Sequence, residues 1–162
     1  MVSMISDPER VLTQPDIPHA EPDMGKVAVI YTTPETVIDD YARLLDLADY
    51  QTALTVDIDT FLKVNISWQH YYPACSSAPW QIDGVAKKLK NDGFNKLIAA
   101  HNGTVVVNPI EGRENNKHKL VEDRLGLDHV VLDAPPNNWV SYRPTAKMLV
   151  LDDVYKDGLN IP

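Results

Sequence analysis

The stretch Asp59–Gly93, DTFLKVNISWQHYYPACSSAPWQIDGVAKKLKNDG, constrains this chain more than any other part of it. It sets an apolar strand, a polar and aromatic loop and a helix start in direct succession. Thr60–Ile66 reads as the strand, with Phe61, Leu62, Val64 and Ile66 apolar. Ser77 reads as the N-cap of a helix over about 78–91, and Pro79 falls in its first turn. Ile82, Val85, Ala86 and Leu89 then recur at helical spacing and mark the buried stripe. Gly93 suits the left-handed residue that closes a helix. In an open α/β sheet such a junction lies at the carboxyl ends of the strands, where ligands bind.

The rest of the chain extends the alternation. Lys26–Thr32, KVAVIYT, reads as a first strand, and its continuous apolar run suggests burial on both faces. Thr33, Pro34 and Glu35 give a helix start, followed by an inner face of Val37, Tyr41, Leu44, Leu45 and Ala48 that fades near Tyr50. Lys96–Ala100 is the next strand, and Thr104–Val107 is a short strand or a buried turn. Glu114–Leu125 is a helix stopped at Gly126, and His129–Asp133 is a further strand. Pro135–Asn138 is a loop, and Lys147–Leu151 is a strand or sheet edge. Strands alternating with helices imply parallel pairing through crossovers. The expected fold is therefore α/β: a mostly parallel open sheet with flanking helices, in Rossmann-like layers. Residues 1–25 carry Pro8, Pro15, Pro18 and Pro22 with several acids and are expected as an extended arm. Residues 26–162 are expected as one domain.

Charge and cysteine usage remove several classes of function. The chain of 162 residues carries a net charge of -8, and such a surface repels phosphate backbones, so nucleic acid is not an expected partner. Its apolar runs are too short to span a membrane. The opening MVSMISDPER has acids where a secretory signal needs an apolar core, and the single cysteine, Cys75, suits a reducing compartment; a cytoplasmic location is the expectation. One cysteine cannot hold an iron–sulfur cluster.

Within the junction, Lys63 and Asn65 interrupt the apolar strand two residues apart and are expected to share a face. Lys63 then reaches a cavity, snorkels at the strand end, or pairs with an acid such as Asp59. The loop 67–77 supplies Ser67, His70, Ser76 and Ser77 as ligand-binding groups, with free amides at the following helix start to favour an anion. Capping alone is the commoner role for Ser77. Cys75 stands before that helix, where a thiol can be activated, although a small buried thiol is the commoner outcome. His101 and Asn102 follow the third strand. If strands two and three are neighbours, His101 arrives beside the loop as the acid–base candidate, although a strand-end histidine bonded to backbone is the commoner role. His70, Cys75 and His101 match no zinc spacing, so no metal ligand is assigned. No GxGxxG, GxxxxGK[ST] or GxSxG is present.

The segment Phe61–Phe94 resembles the domain of unknown function 362 family. Lys63-Val64-Asn65, Ser77-Ala78-Pro79, Asp92-Gly93 and the strand Lys96–Ala100 stand in the family's order, and His101-Asn102-Gly103-Thr104-Val105-Val106 resembles the branch that carries this loop. The resemblance implies a second half with Lys-Thr-His and Lys-Asn motifs, which would begin about where this sequence stops. It also implies an association with redox chemistry, since some members are fused to ferredoxin-like cysteine clusters that this chain lacks. Three functions follow as expectations. The first is an enzyme domain that binds a small anionic metabolite at 63–79, with Lys63, Cys75 and His101 as catalytic candidates and Asn65, Ser67, His70, Ser76, Ser77 and Asn102 as ligand contacts. The second is a non-catalytic binding or assembly domain that uses the aromatic loop 68–80. The third is part of a metal or iron–sulfur dependent redox protein whose ligands lie outside this chain, so the cofactor is unknown. A second copy of the chain and the missing C-terminal half are the further partners considered.

Overall fold

The computed structural model describes residues 12–13, 27–134, 139–144 and 149–161. In chain order the strands are β1 (Leu12–Thr13), β2 (Thr60–Lys63), β3 (Leu97–His101), β4 (Asp128–Val131), β5 (Val140–Arg143) and β6 (Leu159–Ile161). The helices are α1 (Val37–Leu47), α2 (Pro79–Asn91), α3 (Pro109–Asn115), α4 (His118–Leu125) and α5 (Val150–Val154). The chain divides into two compact units, 26–132 and a smaller one that joins 1–25 to 133–162, where a single domain over 26–162 was expected.

The larger unit is a parallel α/β layer. Its sheet runs β2-β3-β4, with Leu62 opposite Ala99 and Ala99 opposite His129. The face that carries Leu97 and Ala99 is covered by Ile82, Ala86 and Leu89 of α2 and by Val121 of α4, and this is the core. At roughly 25 cal/mol per Å² of apolar surface, such a layer is what stabilises the sheet. α1 packs against α2 at Gly84, where an added Cβ would stand 2.7 Å from Tyr41 Cβ and 3.0 Å from the Ile38 carbonyl oxygen. Gly93 closes α2 with φ +96.

Several expectations are corrected. Residues 27–32 form no strand, and Val27, Val29 and Tyr31 are 84%, 74% and 98% exposed, so the run is not buried on both faces. Its alternate residues Ala28 and Ile30 are half-buried, a one-sided pattern. α1 starts at Val37 with Thr36 as its N-cap residue, because the Thr33 carbonyl accepts from the Thr36 and Val37 amides and closes a turn first. The stretch 104–107 is a bend with Val105 and Val106 exposed and Val107 buried. The helix expected over Glu114–Leu125 is two helices. Asn116 leaves the helical path and Lys117 turns left-handed at φ +66, which costs about 1 kcal/mol for a residue with a Cβ. The described part of Lys147–Leu151 enters the helix α5 and not a strand.

In the smaller unit β1 pairs parallel with β5, and β5 pairs antiparallel with β6. Gly158 holds φ +103 close to the Tyr142 carbonyl, where a Cβ would sit at 2.8 Å. Apart from Leu12–Thr13, the expected N-terminal arm lies outside the described residues, as does the loop Pro135–Asn138.

Candidate functional site

The carboxyl ends of β2 and β3 lie side by side, since Lys63 is opposite Ala100 and the Val64 amide donates to the Ala100 carbonyl at 2.8 Å. Lys63 and Asn65 are both exposed, while Val64 between them is buried, so the two share a face. Lys63 Nζ donates to the Val64 carbonyl at 3.1 Å, and among the described residues no carboxylate forms an ion pair with it. Asp59, a sequence-level partner for Lys63, pairs instead with Lys96 at 3.6 Å.

A groove of about 400 Å³ follows the outer edge of β2. Lys63, Ser77 and Gln81 line it, together with Tyr41, Ile82 and Val85. The Ala78 amide is held by Gln81 Oε1 at 2.7 Å, which fixes the first turn of α2. Ser77 does not cap that helix: the N-cap residue is Ala78, and Ser77 Oγ accepts from the Asn65 amide at 3.0 Å.

The loop over this end is closed by its own polar groups. Asn65 Nδ2 donates to Ser67 Oγ at 2.8 Å and to the Cys75 carbonyl at 3.0 Å, and Ser67 Oγ donates to the same carbonyl at 2.6 Å. Ser76 Oγ accepts from the Ser67 amide at 3.2 Å. Beneath it, Asn116 is 1% exposed; its Oδ1 accepts from the Tyr72 amide and its Nδ2 donates to the Trp68 and Gly112 carbonyls. Asn115 donates to the Gln69 carbonyl at 2.7 Å. Four expected ligand contacts, Asn65, Ser67, Ser76 and Ser77, thus serve as loop closures. Trp68, Tyr71, Tyr72 and Trp80 remain exposed, and His70 stands exposed against the Trp68 ring at 5.8 Å. Cys75 is exposed, where a buried thiol was the commoner expectation.

Behind the loop lies a buried cluster. His101, 1% exposed, meets His129 with their Nε2 atoms 2.6 Å apart, so one ring donates and the other accepts. Asn102, next in the chain, is exposed. The fully buried His118 donates from Nε2 to the Ser77 carbonyl at 2.6 Å, which leaves Nδ1 as a bare acceptor without a partner. His101 Nδ1 has no well-aligned partner either, although the adjacent Asn102 backbone favours the charged ring. Arg113 pairs with the buried Glu122 at 2.5 Å. Burial, and then the charges of Lys63, Arg113 and His118, push His101 below the ordinary imidazole range. Burial, followed by Arg113 and His101, lowers His129 to about 4. His118 moves the same way, mainly through burial, and burial pushes the Glu122 carboxyl up.

Sequence reasoning missed His118, His129, Arg113, Asn116 and Glu122. His129 alone left a trace, as a polar residue inside an apolar strand. His70 and Cys75 are exposed while His101 is buried, and among the described residues no group of three or more His, Cys, Asp and Glu is placed to hold a metal ion. No helix among them is long and apolar enough to cross a membrane. No protein-family model, curated protein or solved structure matches the chain.

Proposed function

We propose that the unit 26–132 is a binding domain for a small anionic ligand, held in the groove beside β2 with Lys63 as its charge partner. One observation carries this: in a chain of net charge -8, Lys63 lines that groove with no carboxylate paired to it among the described residues. The groove volume lies in the range of small-molecule sites. The amides of Ser77 and Ala78 are taken by the Asn65 carbonyl and Gln81 Oε1, so the Ser77 hydroxyl is the added donor and the amino end of α2 contributes a favourable helix-end field. His101 and His129 form a proton-sharing pair behind Lys63 and add no negative charge there. At 1% exposure His101 does not touch a ligand in the groove, so binding, and not acid–base catalysis, is the role the geometry favours. The exposed Cys75 fits a reducing, cytoplasmic setting. Membership of the domain of unknown function 362 family, with a partner half that completes the site, is part of the same proposal.

Calorimetry with inorganic phosphate and with acetate tests the site. Wild type is expected to bind, and Lys63→Met is expected to bind neither while keeping its circular dichroism spectrum. Equal heats from the two proteins would sink the proposal.

A second function is favoured by the exposed rings of Trp68, Tyr71, Tyr72 and Trp80 on a loop fixed by hydrogen bonds. Rigid aromatic surfaces of this kind bind partners at low entropic cost. Sedimentation velocity checks it: self-association that disappears in Tyr71→Ser/Tyr72→Ser supports a docking loop, and a monomer at all concentrations removes self-assembly.

A further inference from the structure

We infer that the anion taken by this groove is an amphipathic monocarboxylate, a single carboxylate joined to an apolar body, and not a phosphate or a dicarboxylate. The inference rests on the Lys63 site proposed above and specifies its ligand.

The groove is chemically lopsided. Lys63 and Ser77 stand at the carboxyl end of β2, since the Ser77 amide donates to the Asn65 carbonyl at 2.9 Å and so fixes this turn beside the strand end. α2 runs back antiparallel to the strand, as a crossover helix must, and carries Ile82 and Val85 away from Lys63 toward Phe61. Tyr41 of α1 closes the groove on the helix side. One end therefore presents an ammonium, a hydroxyl and the Gln81 amide. The remainder presents rings and aliphatic groups, with Phe61 more than half exposed and open to contact. A free phosphate would use the first end and leave the second wet. A carboxylate with an apolar tail would use both, and each buried methylene tightens binding roughly three- to fourfold.

The far side excludes a second negative charge. A second, narrow cavity of about 80 Å³ has Tyr41 in common with the groove and is lined also by Ile30, Thr32, Val37, Asp40 and Leu44. Asp40 is buried there, accepts from Thr36 Oγ1 at 2.6 Å and pairs with Arg43 at 2.7 Å. The Thr36 and Thr32 hydroxyls hold its carboxyl below the ordinary range, so it is ionised at neutral pH. Among the described residues, no cationic one lines that cavity to receive another carboxylate. A diacid long enough to reach it would bury a charge against Asp40, whereas a hydrocarbon end pays no such penalty.

The test is calorimetry on the full chain with acetate, hexanoate, octanoate, the eight-carbon diacid suberate, and inorganic phosphate. Affinity is expected to climb from acetate to octanoate by at least roughly thirtyfold, given several buried methylenes. Suberate is expected to bind at least roughly tenfold more weakly than octanoate, through the buried second charge. Phe61→Ala, a change at an exposed side chain, is expected to flatten the chain-length dependence. Lys63→Met is expected to abolish binding of the whole series. Equal affinities for acetate, octanoate and phosphate, all lost in Lys63→Met, would overturn the inference and leave the anion site standing. Octanoate binding that survives Lys63→Met would overturn it too, by showing apolar partition elsewhere. No heat from any of the five probes would remove both the inference and the site.

Discussion

The two ends of the β2-β3-β4 sheet are closed by different chemistry. At the amino end, the Phe94 and Tyr50 rings pack in a tilted pair with centroids 5.9 Å apart, and the Tyr50 hydroxyl donates to Asp92. Lys88 then bridges Asp46 at 2.8 Å and Asp92 at 2.9 Å. These partners hold the Asp92 carboxyl below its usual range, Tyr50 and Lys88 foremost, and burial raises the Tyr50 hydroxyl. Lys88, Asp46 and Asp92 there are held in one ion-paired set. At the carboxyl end, three histidines and Arg113 are set against one buried carboxylate, Glu122, and the orphan atoms His101 Nδ1, His118 Nδ1 and Gln69 Oε1 lie in this region. Buried polar groups left without partners are costly, and proteins keep them where something other than stability is served. The amino end secures the fold, and the carboxyl end carries the candidate site.

Substitutions can break this contrast in order of size. Phe94→Ala empties the amino end of a ring that is 2% exposed and is expected to lower stability by about 4 kcal/mol in urea denaturation. Acetate binding at saturating temperature control, where the variant is still folded, is expected to stay unchanged. Asn116→Ala removes the clamp under the loop and is expected to cost about 2 to 3 kcal/mol, through unpaired groups at Tyr72, Trp68 and Gly112. Its signature is local: proteolysis within 66–77 accelerates while the amino end stays protected. An unchanged cleavage rate would show that the loop is held by other means.

Acid sharpens the contrast without mutation. The folded His129 titrates near 4, below the ordinary imidazole value of 6.5, so between those values the unfolded chain binds a proton that the folded one refuses. The stabilisation is fully present above pH 6.5 and is lost as pH falls through 4. His101 and His118 shift in the same direction. With His129 half-buried, the discounted loss is about 2 kcal/mol, read as a falling thermal midpoint between pH 7 and pH 4.5. His129→Asn is expected to flatten that slope, and an equally steep slope in the variant would place the acid sensitivity elsewhere. The smallest effect belongs to Lys63→Met. As an exposed change it is expected to move stability by less than about 0.5 kcal/mol while it removes the anion heat.

The elements most legible in the sequence are those that local chemistry decides. α2 was readable because Pro79 opens it, Gly93 closes it and its stripe repeats at helical spacing. β2, β3 and β4 follow from apolar runs. α3 was also readable in principle: Asn108, Pro109 and Glu111 spell an N-cap, a first-turn proline and an acid, and Asn108 Oδ1 does accept from the Ile110 and Glu111 amides. The break at Asn116 was not readable, because what bends the chain there is a set of hydrogen bonds to Trp68 and Tyr72, more than forty residues away. Residues 27–31 show the converse failure. Strand composition records a preference for pairing, and no strand pairs with them among the described residues. Lys63 and His101 announced themselves as polar residues in apolar surroundings. His118 and Glu122 look like surface residues of an ordinary amphipathic helix until the sheet is laid under them.

β3 is hydrogen-bonded on both sides, to β2 and to β4, and the Leu132 amide extends that ladder to the His101 carbonyl at 2.8 Å. Among the described residues, β2 and β4 each keep one flank outside the ladder. In heavy water the amides of 97–101 therefore exchange only when the whole unit opens, whereas outward amides such as those of Phe61 and Lys63 exchange through brief local excursions. His101 thus sits on the slowest-exchanging segment of the unit and its partner His129 on the neighbouring β4, with the groove on the other side of β3, along the outward flank of β2.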